Sequence, residues 1–162
     1  MKANRVFFSG IFAGLLLTLL TVYFRGVAGW IEWNFEMLVG TLFVSRGDIN
    51  AWIIGMVGHL LLAGGFALLY GLLFEKMRRA GVFMGLFVGL LHALVIGVLL
   101  VLFPLLHNLL STGLETAPGI FASNYGGSDV LVFFLMHLLY GSLLGGLYGR
   151  PLSAGDPGYE KV

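Results

Sequence analysis

Four stretches of the chain, residues 6–24, 51–74, 81–106 and 130–148, contain no Asp, Glu, Lys or Arg. Each comes close to or exceeds the ~20 residues that a helix needs to cross hydrocarbon. A core helix of a water-soluble domain would show a polar stripe at 3.6-residue spacing, whereas these runs are apolar on every side apart from scattered His, Ser, Thr and Tyr. The pattern predicts an all-α integral membrane four-helix bundle, one transmembrane domain over residues 1–162, with outer loops at 25–50 and 107–129 and a cytoplasmic coil tail at 151–162. The first run, 19 residues preceded by Lys2 and Arg5, is longer than the ~7–15 apolar residues of a cleaved signal and is expected to be retained. Connections as long as the outer loops are expected to hold short helices, and residues 30–38 mix aromatic, acidic and aliphatic types as a helix lying on the bilayer surface would.

Composition sharpens this picture. Charged residues make up 10% of the chain against roughly 25% in an average soluble domain. The absence of cysteine excludes disulfides, thiolate metal sites, Fe–S clusters and thiol redox chemistry. A net charge of +1 gives no sign of a nucleic-acid partner. Lys2, Arg5, Lys76, Arg78, Arg79, Arg150 and Lys161 fall at the termini and the central turn, and only Arg25 and Arg46 fall on the opposite side. The positive-inside rule therefore predicts a multi-pass protein of the bacterial inner membrane with both termini cytoplasmic. Trp30, Trp33 and Trp52 are then expected at the outer interface, as anchors and as docking residues for another membrane subunit.

One unit recurs along the chain. His59-Leu-Leu…Leu69-Tyr70-Gly71 returns as His137-Leu-Leu…Leu147-Tyr148-Gly149, and Phe8, Gly10, Phe12 and Gly14 align with Phe83, Gly85, Phe87 and Gly89. Glu36, Gly40, Phe43 and Ser45 echo Glu115, Gly119, Phe121 and Ser123 in the outer loops. Two tandem two-helix repeats of equal orientation predict a pseudo-two-fold axis along the membrane normal. Small residues also recur every fourth position: Gly81, Gly85, Gly89, Ala93 and Gly97 in the third run; Gly141, Gly145 and Gly149 in the fourth; Ala63, Ala67 and Gly71 in the second; Gly10 and Gly14 in the first. Such stripes let helix backbones approach closely in lipid, so Gly85, Gly89, Gly141, Gly145 and Gly149 are expected to be packing residues.

The chemistry rests with His59, His92, His107 and His137. His59 and His137 occupy equivalent repeat positions at similar depth, each at the head of a small-residue row. Paired structural histidines, hydrogen-bonded across the bundle or to backbone, are one reading. Axial ligation of a haem b by His59 and His137 is another, and it requires the two rows to be held apart. A proton path or a metal site shared with the outer acids is a third, although no two histidines stand at i, i+3 or i, i+4, so no metal is expected. His92 is asymmetric, with Leu17 at the equivalent place, and is expected to have a local role. His107 is expected to be a solvated loop histidine, Tyr70 and Tyr148 interfacial anchors, and Asp48 and Asp129 N-cap or first-turn acids. No phosphate loop, nucleophile elbow or zincin motif occurs, and no catalytic residue is expected.

The run Met136-His-Leu-Leu-Tyr-Gly-Ser-Leu-Leu-Gly-Gly-Leu-Tyr-Gly149 resembles the last helix of the YagU-like and related families of small four-helix bacterial membrane proteins of unknown function. The matching residues are His59, Tyr70, Gly71, His137, Tyr140, Gly141, Gly145, Tyr148 and Gly149, and the Trp-rich outer loop departs from the pattern. The resemblance implies fold and topology and carries no activity. The expected function is a non-catalytic subunit of a larger energy-transducing complex, respiratory or photosynthetic, with the lipid bilayer and other membrane subunits as partners. The alternatives are a haem b electron-transfer protein and a small transporter or channel.

Overall fold

The computed structural model describes residues 2–44, 48–107, 116–149 and 151. Arg46, Glu115 and the tail from 152 onward lie outside the described residues. Four helices are long and apolar enough to cross a membrane: α1 (Ala3–Gly26), α3 (Ile49–Met77), α4 (Val82–Leu99) and α5 (Gly127–Tyr148), with α4 running on as a 3₁₀ helix (Leu100–Leu105). A short α2 (Phe35–Gly40) lies between the first two, and a 3₁₀ turn (Ile120–Ala122) precedes α5. No strand occurs among the described residues.

Local chemistry sets the boundaries. The Asp48 carboxylate accepts the Asn50 and Ala51 N–H groups at 2.9 and 3.2 Å, capping α3. Arg78, left-handed at φ 52°, ends α3, and the chain turns through Gly81 at φ 112°, a conformation glycine adopts at no steric cost, straight into α4. The tightening of α4 beyond Leu99 coincides with Pro104, which has no N–H to give to an α-helical ladder.

The bundle has its large side chains outside. Phe8, Phe83, Leu94 and Leu131 are exposed, whereas the interior is built from Ala13, Ala63, Ala67, Val88, Tyr70 and Tyr140. That distribution is what a lipid-facing surface requires, since the small residues gain their energy from close backbone approach. The small-residue rows pair within hairpins. A Cβ on Gly85 would land on the carbonyl oxygen of Gly141, and one on Gly145 would land on that of Gly81; Gly89 packs on His137 in the same way. Gly10 and Gly14 lie on Ala67 and Ala63. The rows of α3 and α5 are therefore each spent on a neighbour in the same hairpin and do not pack on one another. Gly149 packs on nothing; at φ 80° it ends α5.

The loop after α1 departs from expectation. Residues 30–34 are not helical; α2 starts only at Phe35, where the Asn34 side chain caps the Met37 N–H at 3.0 Å. It does not lie on the surface, because Glu36, Leu38, Val39 and Gly40 are buried against the start of α3. Two glycines permit this approach: a Cβ on Gly55 would collide with the Glu36 carbonyl, and one on Gly40 with the Ala51 carbonyl. The consequence is that a carboxylate enters the bundle.

Candidate functional site

His59, His92 and His137 each lie ten residues past the first residue of their helices (49 to 59, 82 to 92, 127 to 137), roughly 15 Å along the axis at 1.5 Å per residue. All three line one cavity of about 390 Å³. Leu62 of α3 and Leu99 of α4 line it as well while 49% and 48% of their surface stays exposed, so the cavity reaches the bundle surface at these two helices. Phe66 and Tyr70 of α3 bridge to α4 through the His92 ring, the first at a centroid distance of 4.3 Å and the second by a 3.1 Å hydrogen bond. Tyr140 closes the end nearer the α3–α4 turn, donating its hydroxyl to the Ala63 carbonyl across from α5 to α3.

Each histidine is held by one ring nitrogen. His59 Nδ1 stands 3.2 Å from Glu36 Oε1 and 3.2 Å from Thr18 Oγ1, and the Thr18 hydroxyl donates to the same Glu36 oxygen at 3.1 Å. Glu36 is 2% exposed. Burial raises its pKa, but hydrogen bonds from His59, the backbone and Thr18, together with attraction to the His59 ring, outweigh that and bring it below the usual 4.5. His137 Nδ1–H donates to the Phe133 carbonyl one turn back at 2.8 Å. His92 meets His137 edge to face at 4.9 Å. Among the described residues no protein group bonds the Nε2 of these three rings, and none of the three is sealed from the cavity.

The cavity wall is aromatic around the imidazoles. Phe35 packs on His59 at 5.1 Å, Phe133 on His137 at 4.3 Å, and Trp33 touches both phenylalanines, at 5.7 and 5.8 Å. The Trp33 indole N–H is buried without a partner, an arrangement that costs free energy unless a ligand or water accepts it. At the same end Arg25 donates to the Trp33 carbonyl at 3.1 Å, and Asp129 Oδ1 accepts the Glu32 and Trp33 N–H groups at 3.1 and 2.9 Å. Asp129 thus lies in the first turn of α5 but uses its carboxylate to pin the loop.

The sequence matches no protein-family model, no curated protein and no solved structure.

The structure brings His59 and His137 to one cavity and adds His92 to them, but it leaves the first two bonded to other groups and not to each other. His107, far from being solvated, is 2% exposed and shares its Nε2 with Thr41 Oγ1 at 2.9 Å and the Leu38 carbonyl at 3.1 Å. Tyr70 is buried on His92 and does not anchor an interface; Tyr148 donates to Glu75 at 2.5 Å. Of the expected docking residues only Trp30 is exposed, stacked on Phe24; Trp52 is half-buried and Trp33 points inward. Among the described residues no three His, Asp or Glu side chains are placed to share a metal ion. Glu36, Thr18 and Arg25 are the site residues that the residue pattern does not single out. The available signal was Gly40 and Gly55, small residues four and nineteen positions after the acid that let its helix approach α3.

Proposed function

We propose that this chain is a non-catalytic integral membrane protein of the bacterial inner membrane, with both termini cytoplasmic, that holds a lipid-soluble small molecule in the cavity between its two hairpins. The observation that carries this reading is the convergence of three histidines from three helices on one apolar cavity, two of whose lining residues, Leu62 and Leu99, are half exposed on the outside of the bundle. Ligand sites are typically apolar concavities of this size with a few convergent polar groups. Two tandem repeats belong to the same proposal, supported by each hairpin packing through its own small-residue rows and by the equal placement of His59 and His137 in their helices. To test it, the protein is purified in lipid nanodiscs and its organic extract analysed by mass spectrometry. One lipid-soluble species is expected in excess over bulk phospholipid and absent from a His59→Phe/His137→Phe double variant; identical extracts would overturn the proposal.

A second occupant, a haem b ligated by His59 and His137, is favoured by one feature: each ring has its Nδ1 anchored on a carboxylate or a backbone carbonyl, as ligating histidines commonly do. The absorption spectrum decides. A Soret band that disappears on replacing either histidine supports haem, and a featureless spectrum after haem-supplemented expression removes it.

Membership of a larger complex is a separate proposal, supported by Trp30, 61% exposed at the loop end of the bundle. Gentle solubilisation from native membranes is expected to give a particle heavier than a homodimer. A lone monomer would contradict it.

A further inference from the structure

The hydrogen-bond network around the cavity fixes the sense of two of its ring nitrogens, those of His137 and His92, and this deepens the proposed function, on which it rests. A backbone carbonyl can only accept, so His137 carries its proton on Nδ1 and presents Nε2 as an acceptor. The carboxylate of Glu36 likewise draws a proton onto His59 Nδ1. At His92 the phenol of Tyr70 is the better proton donor and the imidazole nitrogen the better acceptor; the hydroxyl donates to Nδ1, and Nε2–H faces outward as a donor. The Trp33 ring lines the same cavity, while its Nε1–H is enclosed in the surrounding side chains.

The site thus offers the His137 acceptor and the His92 donor, set in an aromatic box. A ligand bearing only acceptors would leave the His137 lone pair dry, and a hydrocarbon would leave both groups unpaired, each a desolvation cost that lowers affinity. A hydroxyl group both donates and accepts. A flat aromatic ring beside it would pack against Phe35, Phe133 and Trp33, whose rings already meet edge to face or tilted. We infer that the cavity selects lipid-soluble molecules with an aromatic hydroxyl head, a phenol or hydroquinone on an aliphatic tail, through donation to His137 Nε2.

The test uses the full chain in nanodiscs and two probes of nearly equal size and hydrophobicity, decylphenol and decylanisole, which differ in the hydroxyl proton. Binding is read by saturable quenching of tryptophan fluorescence. Decylphenol is expected to bind roughly tenfold more tightly or better. In His137→Phe, which keeps a ring of similar size, decylanisole binding is expected to persist while the preference for phenol shrinks severalfold. Equal affinity of the two probes for the wild-type protein would overturn the selectivity and leave the binding reading intact. Saturable binding of neither probe would overturn both. The wild-type ratio needs no variant, so a poorly folding His137→Phe does not blunt the test.

Discussion

Replacing Gly141 with leucine is expected to destabilise the bundle by about 3 kcal/mol or more, because the added side chain must enter space filled by the Gly85 carbonyl and the Gly89 backbone. Backbone cannot step aside as a side-chain tip can, so α4 and α5 would have to separate along their whole seam. Lipid offers no hydrophobic force to draw them together again. Gly146, on the same helix, supplies the contrast. Its nearest neighbour is the Val82 Cγ2 methyl at 3.5 Å, ordinary contact, and Gly146→Ala is expected to be neutral or to stabilise by roughly 0.5 to 1 kcal/mol through the gain in helix propensity. Unfolding midpoints in mixed detergent–SDS micelles check both. Equal shifts for the two variants would show that the seam is not packed through Gly141.

Glu36→Ala is the second large effect. It removes the acceptor of the Thr18 hydroxyl and of the His59 Nδ1–H inside the bundle, and a loss of roughly 1 to 3 kcal/mol is expected. Glu36→Gln keeps an oxygen in place and is expected to lose less. The acid also predicts a pH dependence. Its pKa in the folded protein lies below the usual 4.5, so the unfolded chain takes up the proton first as pH falls. The stability that Glu36 contributes is therefore complete above about pH 4.5 and is lost as the pH falls through its folded pKa. Midpoints measured at about pH 7 and about pH 4 should draw together in Glu36→Gln relative to the parent. A parent whose acid-side loss is unchanged by that substitution would place the proton elsewhere.

The four spanning helices were legible because runs of at least 19 residues without Asp, Glu, Lys or Arg leave few alternatives to lipid. α1, α3 and the start of α5 extend a few residues past the uncharged runs, since capping by Asp48 and the polar first turn of α5 belong to the helices but not to the hydropathy signal, whereas α4 and its 3₁₀ extension stay within theirs. The glycine stripes showed which helix faces pack, but a stripe says nothing about its partner; that Gly141 and Gly145 meet Gly85 and Gly81 is a property of the α4–α5 hairpin, tied at one end by the Gly81 N–H donating to the Gly145 carbonyl at 3.0 Å. His59 and His137 stood out through their repeat positions. Glu36 did not, because charge in a loop reads as solvated, and its burial follows from a contact between Gly55 and the Glu36 backbone 19 residues apart in sequence. Trp33 and His107 were misread for the same reason. Each lies beyond a span end, where distance from the membrane and burial beneath a folded-back loop cannot be told apart by residue type. Tyr70 was placed at an interface by type, whereas its partner, His92, comes from the next helix.

We propose that the cavity lined by Trp33 and the three histidines is open to lipid and shut off from water. With Trp30→Phe and Trp52→Phe, Trp33 becomes the single tryptophan of the three. In nanodiscs its fluorescence is predicted to be quenched saturably by a brominated decylphenol and to resist iodide in the aqueous phase. Strong iodide quenching with no saturable response to the lipid-soluble probe would contradict it.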